Sequence, residues 1–280
     1  MVALLGCGGK KDDKQPPAGG GAGAGGSSMT SPEPEKKGAP PKEAYKGKNR
    51  LVNFYVGKDG KTQTVDVWVR RGFKYDPVKL ADHVQFGTAS TWFGVPEHMA
   101  PVALPVGAGP DDKDISPVAY GKADEVVTGL LMMSNGSVGV SSMYDVSKDM
   151  TQAPKPPAAG KGLVILYAYP LYELRDAMTP TFGGTSFNVG DGTGACLKQR
   201  DPKMESLALG GTSSYELDLD PGKHTITLHK WPGPPKQEDR CKDAVFTINV
   251  DVVADKAQWV FLYSPDQGKS IATLALPVGE

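Results

Sequence analysis

Apolar residues along this chain fall in short alternating runs rather than in helical stripes. Valines occupy alternate positions from Val65 to Val69, and Asp66 and Trp68 lie between them, so the two sets would face opposite sides of a strand. Similar runs recur between turn residues, and glycine (35) and proline (24) are abundant. This pattern is typical of an all-β protein. One helical turn is expected over residues 76–81, and no long helix.

The first half of the chain predicts one β-sandwich over residues 48–150. Asp59-Gly60 and Asn135-Gly136 are the residues that tight turns favour. A unit of about 100 residues built from short alternating strands has the size of a β-sandwich. The strand-like runs are residues 51–56, 64–70, 84–87, 101–106, 126–133 and 138–146.

The second half repeats this pattern after a Pro/Gly/Ala/Lys linker at residues 151–162. Residues 207–215 align without gaps on residues 84–92, with glycines and serines coinciding and an aromatic residue at the end of both. Self-similarity at about 120 residues indicates a duplicated domain. The sequence therefore predicts a second sandwich over residues 163–280, and two tandem immunoglobulin-like β-sandwich domains in all.

Residues 8–47 precede the first sandwich and predict a disordered tether. Met29 is the only large apolar residue between Gly8 and Tyr45, so the segment cannot offset its ordering entropy by burial. A flexible coil of about forty residues has a root-mean-square reach of roughly 35 Å. Such a tether would lift the folded part away from a surface.

The first seven residues end in Leu4-Leu5-Gly6-Cys7, which resembles the lipobox of bacterial lipoproteins. The resemblance implies that residues 1–7 are the end of a signal peptide with a start codon placed too far downstream, and that Cys7 is acylated. Two acyl chains would hold the protein stably at a membrane. Gly8 in place of an acidic residue favours the outer membrane. The alternative is an incidental cysteine in a cytoplasmic protein.

The other two cysteines, Cys196 and Cys241, are expected to form a disulfide in an exported protein. They close a loop of 45 positions (241 − 196), for which the chain-entropy model gives roughly 4 kcal/mol. The alternative is a pair of free buried thiols. Neither cysteine has a CxxC or histidine neighbour at zinc spacing, so no metal site is expected.

Charge and hydropathy restrict the partners. The formal net charge is −1, so the overall field favours neither nucleic acid nor an acidic surface. No apolar run approaches the eighteen or so residues of a spanning helix. The predicted partners are therefore a membrane, through the acylated N-terminus, and an envelope glycan or protein.

Two sets of motifs resemble a known family. Residues 65–69, 86–90 and Val95-Pro96 in the first half, and residues 209–213 and 219–224 in the second, are similar to the bacterial "domain of unknown function 4397" family. The resemblance implies an exported protein with tandem immunoglobulin-like sandwiches. That family has no assigned chemistry, so it implies no catalytic residues.

Few residues suggest chemistry. Each of the four histidines is expected at the surface, and the glycine-rich stretch 188–194 predicts a hairpin turn rather than a phosphate or calcium loop. Residues 111–114 predict a solvated loop, with weak calcium binding as the alternative. Trp231, on a proline-rich loop, and Trp92 are the candidates for a ligand surface, although each could instead lie in the core.

Taken together, these features predict a non-enzymatic, lipid-anchored cell-envelope protein that binds a ligand, adheres or has a structural role, with no cofactor and no metal. The alternative is a carbohydrate-active enzyme or another hydrolase whose carboxylates converge only in the folded chain. The two classes would differ in shape. An enzyme would bring two carboxyl groups within about 5–10 Å in a cleft, and a binding module would present a shallow face or loop tip.

Overall fold

A computed structural model describes residues 38–70, 75–110, 116–118, 120–134, 137–147, 153–211, 213–230 and 241–280. The predicted lipidation site Cys7, residues 8–37 of the predicted tether, the loop at 111–114, the Asn135-Gly136 turn and Trp231 lie outside these residues. Residues 37–280 belong to one compact unit. No helix in the described part of the chain is both long and apolar enough to span a membrane.

The described chain is all-β, and the predicted fold class is confirmed. Short 3-10 helices at Lys42–Ala44 and Tyr169–Leu174 and one α-helix, α1 (Arg175–Phe182), are the described helical segments. The strands are β1 (Tyr45–Phe54), β2 (Val65–Val69), β3 (Val78–Val84), β4 (Thr88–Ala89), β5 (Phe93–Pro96), β6 (Pro101–Pro105), β7 (Ser116–Pro117), β8 (Val126–Ser134), β9 (Ser137–Val146), β10 (Gly162–Tyr167), β11 (Ser186–Gly190), β12 (Leu207–Ala208), β13 (Tyr215–Leu219), β14 (Gly222–Lys230), β15 (Ala244–Val252), β16 (Ala257–Tyr263) and β17 (Ala272–Pro277).

These strands form four sheets. The first outer sheet has the order β3-β2-β6-β7, and the first inner sheet has the order β4-β1-β8-β9 with β5 also pairing with β1. The second inner sheet has the order β13-β10-β16-β17, and the second outer sheet has the order β12-β11-β14-β15. Each inner sheet contains one parallel pair, β1–β8 or β10–β16. Apart from β5, the strand orders of the two halves therefore correspond.

One pair of aligned glycines shows how closely the two halves correspond. Gly87 and Gly210 both have positive φ (74° and 66°), a conformation that glycine adopts without a steric penalty. The N–H of Gly87 donates to the carbonyl oxygen of Asn53, and the N–H of Gly210 donates to that of Ala168. The same turn thus returns the chain to the inner sheet in both halves.

Each half is a sandwich with its own core. In the first, the core lies between the outer sheet and one face of the inner sheet and includes Leu51, Val67 and Leu131. In the second, the corresponding core includes Phe187 and Leu228, and Met178 of α1 packs into it.

A third core joins the two sandwiches, because the inner sheets pack against each other. We call this interface the junction. It consists of Val52, Phe54, Leu130, Met132 and Met143 from the first half and Leu163, Ile165, Tyr167, Trp259 and Phe261 from the second. The inner sheets are therefore buried on both faces, which explains the continuous apolar run of β10.

Three local predictions are wrong. The expected strand at residues 84–87 is a turn that follows Val84, the last residue of β3. Residues 76–81 form no helical turn, because β3 pairs there with β2, Val67 opposite Ala81, and this pairing overrides the local preference. The strand β1 begins at Tyr45, before the first expected strand residue. The described part of the linker is also held in place, since Ala158 N–H donates to Asp218 and Gly160 N–H donates to Asp255.

Candidate functional site

Asp145 is a buried charge beside the junction, and residues from both halves bond to it. Its side chain is fully buried and lies 3.2 Å from the Arg50 guanidinium. It also accepts hydrogen bonds from the Thr128 hydroxyl, from the Trp259 indole N–H at 2.8 Å and from the backbone N–H of Gly279 at 3.1 Å. We call these five residues the Asp145 network. Because Trp259 and Gly279 belong to the second half, the network bridges both sandwiches.

Burial acts on both charges of this ion pair. It raises the pKa of Asp145, although the Gly279 N–H and Arg50 oppose the shift, and it lowers the pKa of Arg50, although Asp145 opposes that shift. A buried pair of this kind is weak support for stability but fixes one arrangement of its surroundings when every lone pair is bonded. Arg50 also donates to the carbonyl oxygen of Pro277, so the network holds the last residues of the chain as well.

Trp92, a predicted ligand-binding residue, lies beside this network. It is half-buried, and the Lys48 ammonium and the Arg50 guanidinium lie over its ring at 4.6 and 4.5 Å from the centroid. Cation–π contacts of this geometry are attractive. Trp92 therefore packs on the charge that pairs with Asp145, and it does not line the groove described below.

Cys196 and Cys241 are joined by a disulfide, as predicted, with the sulfur atoms 2.05 Å apart. Cys241 is buried, whereas Cys196 is exposed and forms an isolated bridge with Gly190. The bond thus ties the segment that follows Cys196 to the second outer sheet.

The glycine-rich stretch before Cys196 forms a turn, as predicted. The Asp191 carboxylate accepts hydrogen bonds from the N–H groups of Thr193 and Ala195 and from the Thr193 hydroxyl. These bonds lower the pKa of Asp191. The carboxylate is therefore engaged in shaping its own turn.

Asp66, Asp82 and His83 bring three possible metal-ligand atoms together, a cluster that sequence reasoning did not identify. The Lys79 ammonium lies 2.7 Å from Asp66 and 3.0 Å from Asp82. Because the Lys79 ammonium lies within ion-pair distance of both carboxylates, the arrangement is an ion-pair network of this chain's own side chains.

His229 contradicts the prediction that every histidine lies at the surface. Only 3% of it is exposed, and its two ring nitrogens lie 2.9 Å from the carbonyl oxygen of Lys242 and 2.8 Å from the Thr227 hydroxyl. Thr227 on β14 and Lys242, just before β15, provide partners for both nitrogens, so burial costs little. The alternation of Ile226 and Leu228 places His229 on the opposite face of β14, so the local pattern gave no signal of its burial.

A polar groove beside Arg200 is the candidate binding site. Its volume is about 640 Å³, within the range of about 300–1,000 Å³ that ligand pockets occupy. We call it the Arg200 groove. It is lined by Ala153, Lys155, Gln199, Arg200, Asp201, Pro202, Met204, Ser213, Ser214 and Glu216.

Arg200 braces three segments around this groove. Its Nε and Nη2 atoms donate to both carboxylate oxygens of Asp218 at 2.9 and 2.7 Å. It also donates to the carbonyl oxygens of Lys155 and Pro156 in the linker, and its backbone N–H bonds the carbonyl oxygen of Glu216 on β13. A bidentate guanidinium–carboxylate pair fixes geometry as well as charge. The groove wall is therefore held before any ligand arrives.

Gln199 is the unusual residue of the groove. It is 8% exposed, and its Oε1 atom is buried without a hydrogen-bond partner. A buried acceptor left unpaired costs about 1–3 kcal/mol. Residue type gave no signal for this site, because the linker, the segment after Cys196 and β13 meet only in the folded chain.

Comparisons with known proteins identify no family. No protein-family model matches the chain, and no curated protein sequence matches it. Among solved structures, it is similar to CBMbc, a family CBM26 module of Eubacterium rectale Amy13K that was crystallised in complex with maltoheptaose. The two share 9% identity over 81% of this chain and 96% of that chain, with a TM-score of 0.22. A likeness of this size carries no inference about function.

Proposed function

We propose that this chain is a non-enzymatic, lipid-anchored protein of the bacterial cell envelope, in which two fused sandwiches present a binding surface at the end of a tether. The observation that carries the proposal is the junction. A shared core with the buried Asp145 network makes the two sandwiches one body, which suits a protein that positions a surface.

The disulfide supports an extracytoplasmic location. Bonds such as Cys196–Cys241 persist in oxidising compartments and are rare in the cytoplasm. This agrees with the lipobox-like Cys7 and with the resemblance to an exported domain family. Acylation at Cys7 and placement in the outer membrane are parts of the proposal.

The carboxylates favour binding over hydrolysis. A glycosidase needs an acid and a second carboxylate, within about 5–10 Å, that are free to reach the substrate. Here Asp66 is paired with Lys79, Asp145 with Arg50 and Asp218 with Arg200. These three carboxylates are therefore paired with cationic side chains of the same chain.

Metabolic labelling tests the anchor. The gene, expressed in a bacterial host with its upstream sequence restored, should incorporate a labelled fatty acid, and a Cys7→Ser variant should not. The labelled protein should fractionate with membranes. A wild-type chain that takes up no label, or that remains in the cytosol with reduced Cys196 and Cys241, would contradict the proposal.

A further inference from the structure

We propose that the second sandwich binds an extended segment of another polypeptide, which adds as an antiparallel strand to the free edge of β15 and lies over β17. The inference rests on the proposed function, because it names the class of partner that this binding protein takes. It starts from two features that lie side by side, the outer edge of β15 (Ala244–Val252) and an uncovered face of β17 (Ala272–Pro277).

The backbone of β15 offers hydrogen-bonding groups to a further strand. β15 is the last strand of the second outer sheet, and the carbonyl oxygen of Asp251 accepts from the Gln258 side chain rather than from β14. Because N–H and C=O groups alternate between the two sides of an antiparallel strand, those of Thr247 and Asn249 face the same outer side. No group in the described part of the chain bonds them. Such an edge is a template for another strand.

Other edges of the second sandwich are closed, and this one is not. On β13 the carbonyl oxygen of Glu216 accepts from the backbone N–H of Arg200. On β17 the carbonyl oxygen of Pro277 accepts from Arg50, and proline has no N–H to offer. Charged residues and prolines commonly protect edge strands, but residues 244–250 of β15 contain neither. The edge of β15 is therefore open to pairing.

The inner sheet extends one strand beyond β15. Thr273 and Ala275 of β17 lie directly opposite Leu262 and Val260 of β16, so all four side chains point to the same face. Leu262 and Val260 are buried in the second core, whereas Thr273 and Ala275 are exposed. We call the exposed face of Thr273 and Ala275 the β17 overhang. A strand added to β15 would cover it with alternate side chains.

An apolar groove opens where the overhang meets the end of β15. Its volume is about 290 Å³, and Val253, Ala257, Ala275 and Pro277 contribute apolar surface to it. Val253 is 59% exposed. Apolar side chains at alternate positions of the added strand would fill the groove and remove this surface from water, which is favourable.

The uncompensated charge of the groove is negative. Its charged lining residues are Asp251, Lys256 and Glu280, and Lys256 pairs with Glu280 at 2.6 Å. In the described part of the chain no cation pairs with the exposed Asp251 carboxylate, and this includes Lys223, its neighbour on β14. A partner strand with a lysine or arginine near Asp251 complements this charge.

A second copy of this chain does not fit the edge. Pairing β15 with the β15 strand of another copy would place the two strands about 4.8 Å apart. Each inner sheet extends one strand beyond β15, so the inner sheets of the two copies would occupy the same space. A single extended strand has no sheet behind it and avoids this clash. The occupant is therefore a segment of a different polypeptide.

Isothermal titration of the full chain with defined peptides tests the site. The probe is acetyl-Val-Lys-Val-Thr-Val-Thr-Val-amide. Its lysine would lie opposite Asp251, because an antiparallel partner starts where β15 ends, and its valines would face the overhang. We expect a dissociation constant of about 1 mM or below. A peptide with glutamate in place of lysine should bind about two- to fivefold more weakly.

N-methylated probes test the strand geometry. Antiparallel pairing directs the threonine N–H groups of the probe to β15 and its central valine N–H groups to solvent. Methyl groups on the two threonine nitrogens should weaken binding by about tenfold or more, whereas methyl groups on the two central valine nitrogens should leave it unchanged. Equal affinity of the two methylated probes, tighter binding of the glutamate peptide, or no binding of the probe itself would overturn the proposal.

Two variants locate the peptide on the chain. Thr247→Pro removes an outward N–H at a position that an edge strand tolerates, and it should weaken binding about tenfold, whereas the matched Thr247→Val should not. Ala275→Lys puts a cation on the exposed overhang and should weaken binding similarly, whereas Ala195→Lys, at an exposed alanine elsewhere, should not. If Thr247→Pro lowers the thermal midpoint, Ala275→Lys decides. Unchanged binding by Ala275→Lys would overturn the proposal.

The outcomes also separate this inference from the proposed function. An acylated chain that binds no probe would retain the anchor but overturn the β15 site. A chain that binds the probe without being acylated would retain the site but overturn the anchor. Sedimentation tests the remaining occupant, because a dimer that the probe dissociates would assign the edge to a second copy and overturn the inference.

Discussion

The indole N–H of Trp259 donates to Oδ1 of Asp145 at 2.8 Å, across the boundary between the two halves of the chain. The same carboxylate accepts from Gly279 and pairs with Arg50. One buried charge thereby sets how the second sandwich sits on the first. The junction combines this polar contact with a larger apolar area, and each component predicts a different response to mutation.

Asp145→Ala should be strongly destabilising. It leaves the Arg50 guanidinium buried without its counter-charge, and breaking a buried pair in this way costs about 3–5 kcal/mol. Urea denaturation should show the loss directly. Asp176→Asn is the control, because Asp176 is 93% exposed, and such surface changes stay within about 0.5 kcal/mol. A double variant, Arg50→Met with Asp145→Leu, should recover only the part of the loss that comes from the unpaired charge, because it still leaves the Trp259 and Gly279 N–H groups without their acceptor. A double variant no more stable than Asp145→Ala would mean that the unpaired charge is not the cause of the loss.

Gly87→Ala should weaken the junction through Tyr263. A Cβ atom at Gly87 would lie 2.7 Å from the Tyr263 hydroxyl oxygen and 2.9 Å from the ring carbon that carries it, so the tyrosine must shift, at a cost of about 1–3 kcal/mol. Gly160→Ala is the matched control, because its φ is 72° against 74° for Gly87 and no atom lies within 4 Å of the position that its new methyl group would take. Equal losses in the two variants would attribute the effect to backbone strain alone.

Reduction of the disulfide should lower the free energy of unfolding by about 4 kcal/mol on the chain-entropy model. The bond joins residues 45 positions apart, so the reduced unfolded chain gains considerable freedom. Urea denaturation with and without dithiothreitol measures the difference. A Cys196→Ser/Cys241→Ser variant should match the reduced wild type and should not respond to dithiothreitol. A response of that variant would implicate another thiol.

Lowering the pH should weaken the ion pair between Arg200 and Asp218. Burial opposes ionisation of Asp218, but the Arg200 guanidinium and the Ala158 N–H more than offset it, and its pKa is lowered from 3.8. The charged form is therefore favoured in the folded protein. Its stabilisation is complete well above pH 3.8 and is lost as the pH falls through the lower, folded-state pKa.

Asp218→Asn tests this assignment. The difference in unfolding free energy between wild type and variant should be largest near pH 7 and should shrink as the pH falls below about 3.8. Urea denaturation at pH 7, 5 and 3 measures it. A difference that stays constant over this range would mean that the Asp218 charge does not act through Arg200.

The local pattern of apolar and polar residues was sufficient to predict much of the fold. The alternation of Val65, Val67 and Val69 predicted β2. The ungapped alignment of residues 84–92 on 207–215 predicted similar halves, and apart from β5 the two halves have the same strand order. These features depend on neighbours in sequence. The cysteine pair was predictable from the count and the expected compartment.

Features that depend on distant residues were missed. The fully buried run from Leu163 to Tyr167 did indicate the junction. A strand with one solvent-exposed face would alternate apolar and polar residues, and this strand does not. The helix α1 also had a signal in the spacing of Leu171, Leu174 and Met178. Arg50 and Asp145 are 95 positions apart, and no local pattern pairs them. The Arg200 groove likewise could not be predicted, because its lining residues have no characteristic spacing along the chain.

The parallel pairing of β1 with β8 bears on how the chain folds. The first sandwich cannot close until β8 has emerged, and its inner sheet then offers Val52, Phe54 and Leu130 to water until β10 and β16 arrive. During folding, this half-finished chain is the species that exposes apolar surface and is prone to aggregate. A chain truncated after residue 150 should consequently aggregate or bind a hydrophobic dye, whereas the whole chain should do neither.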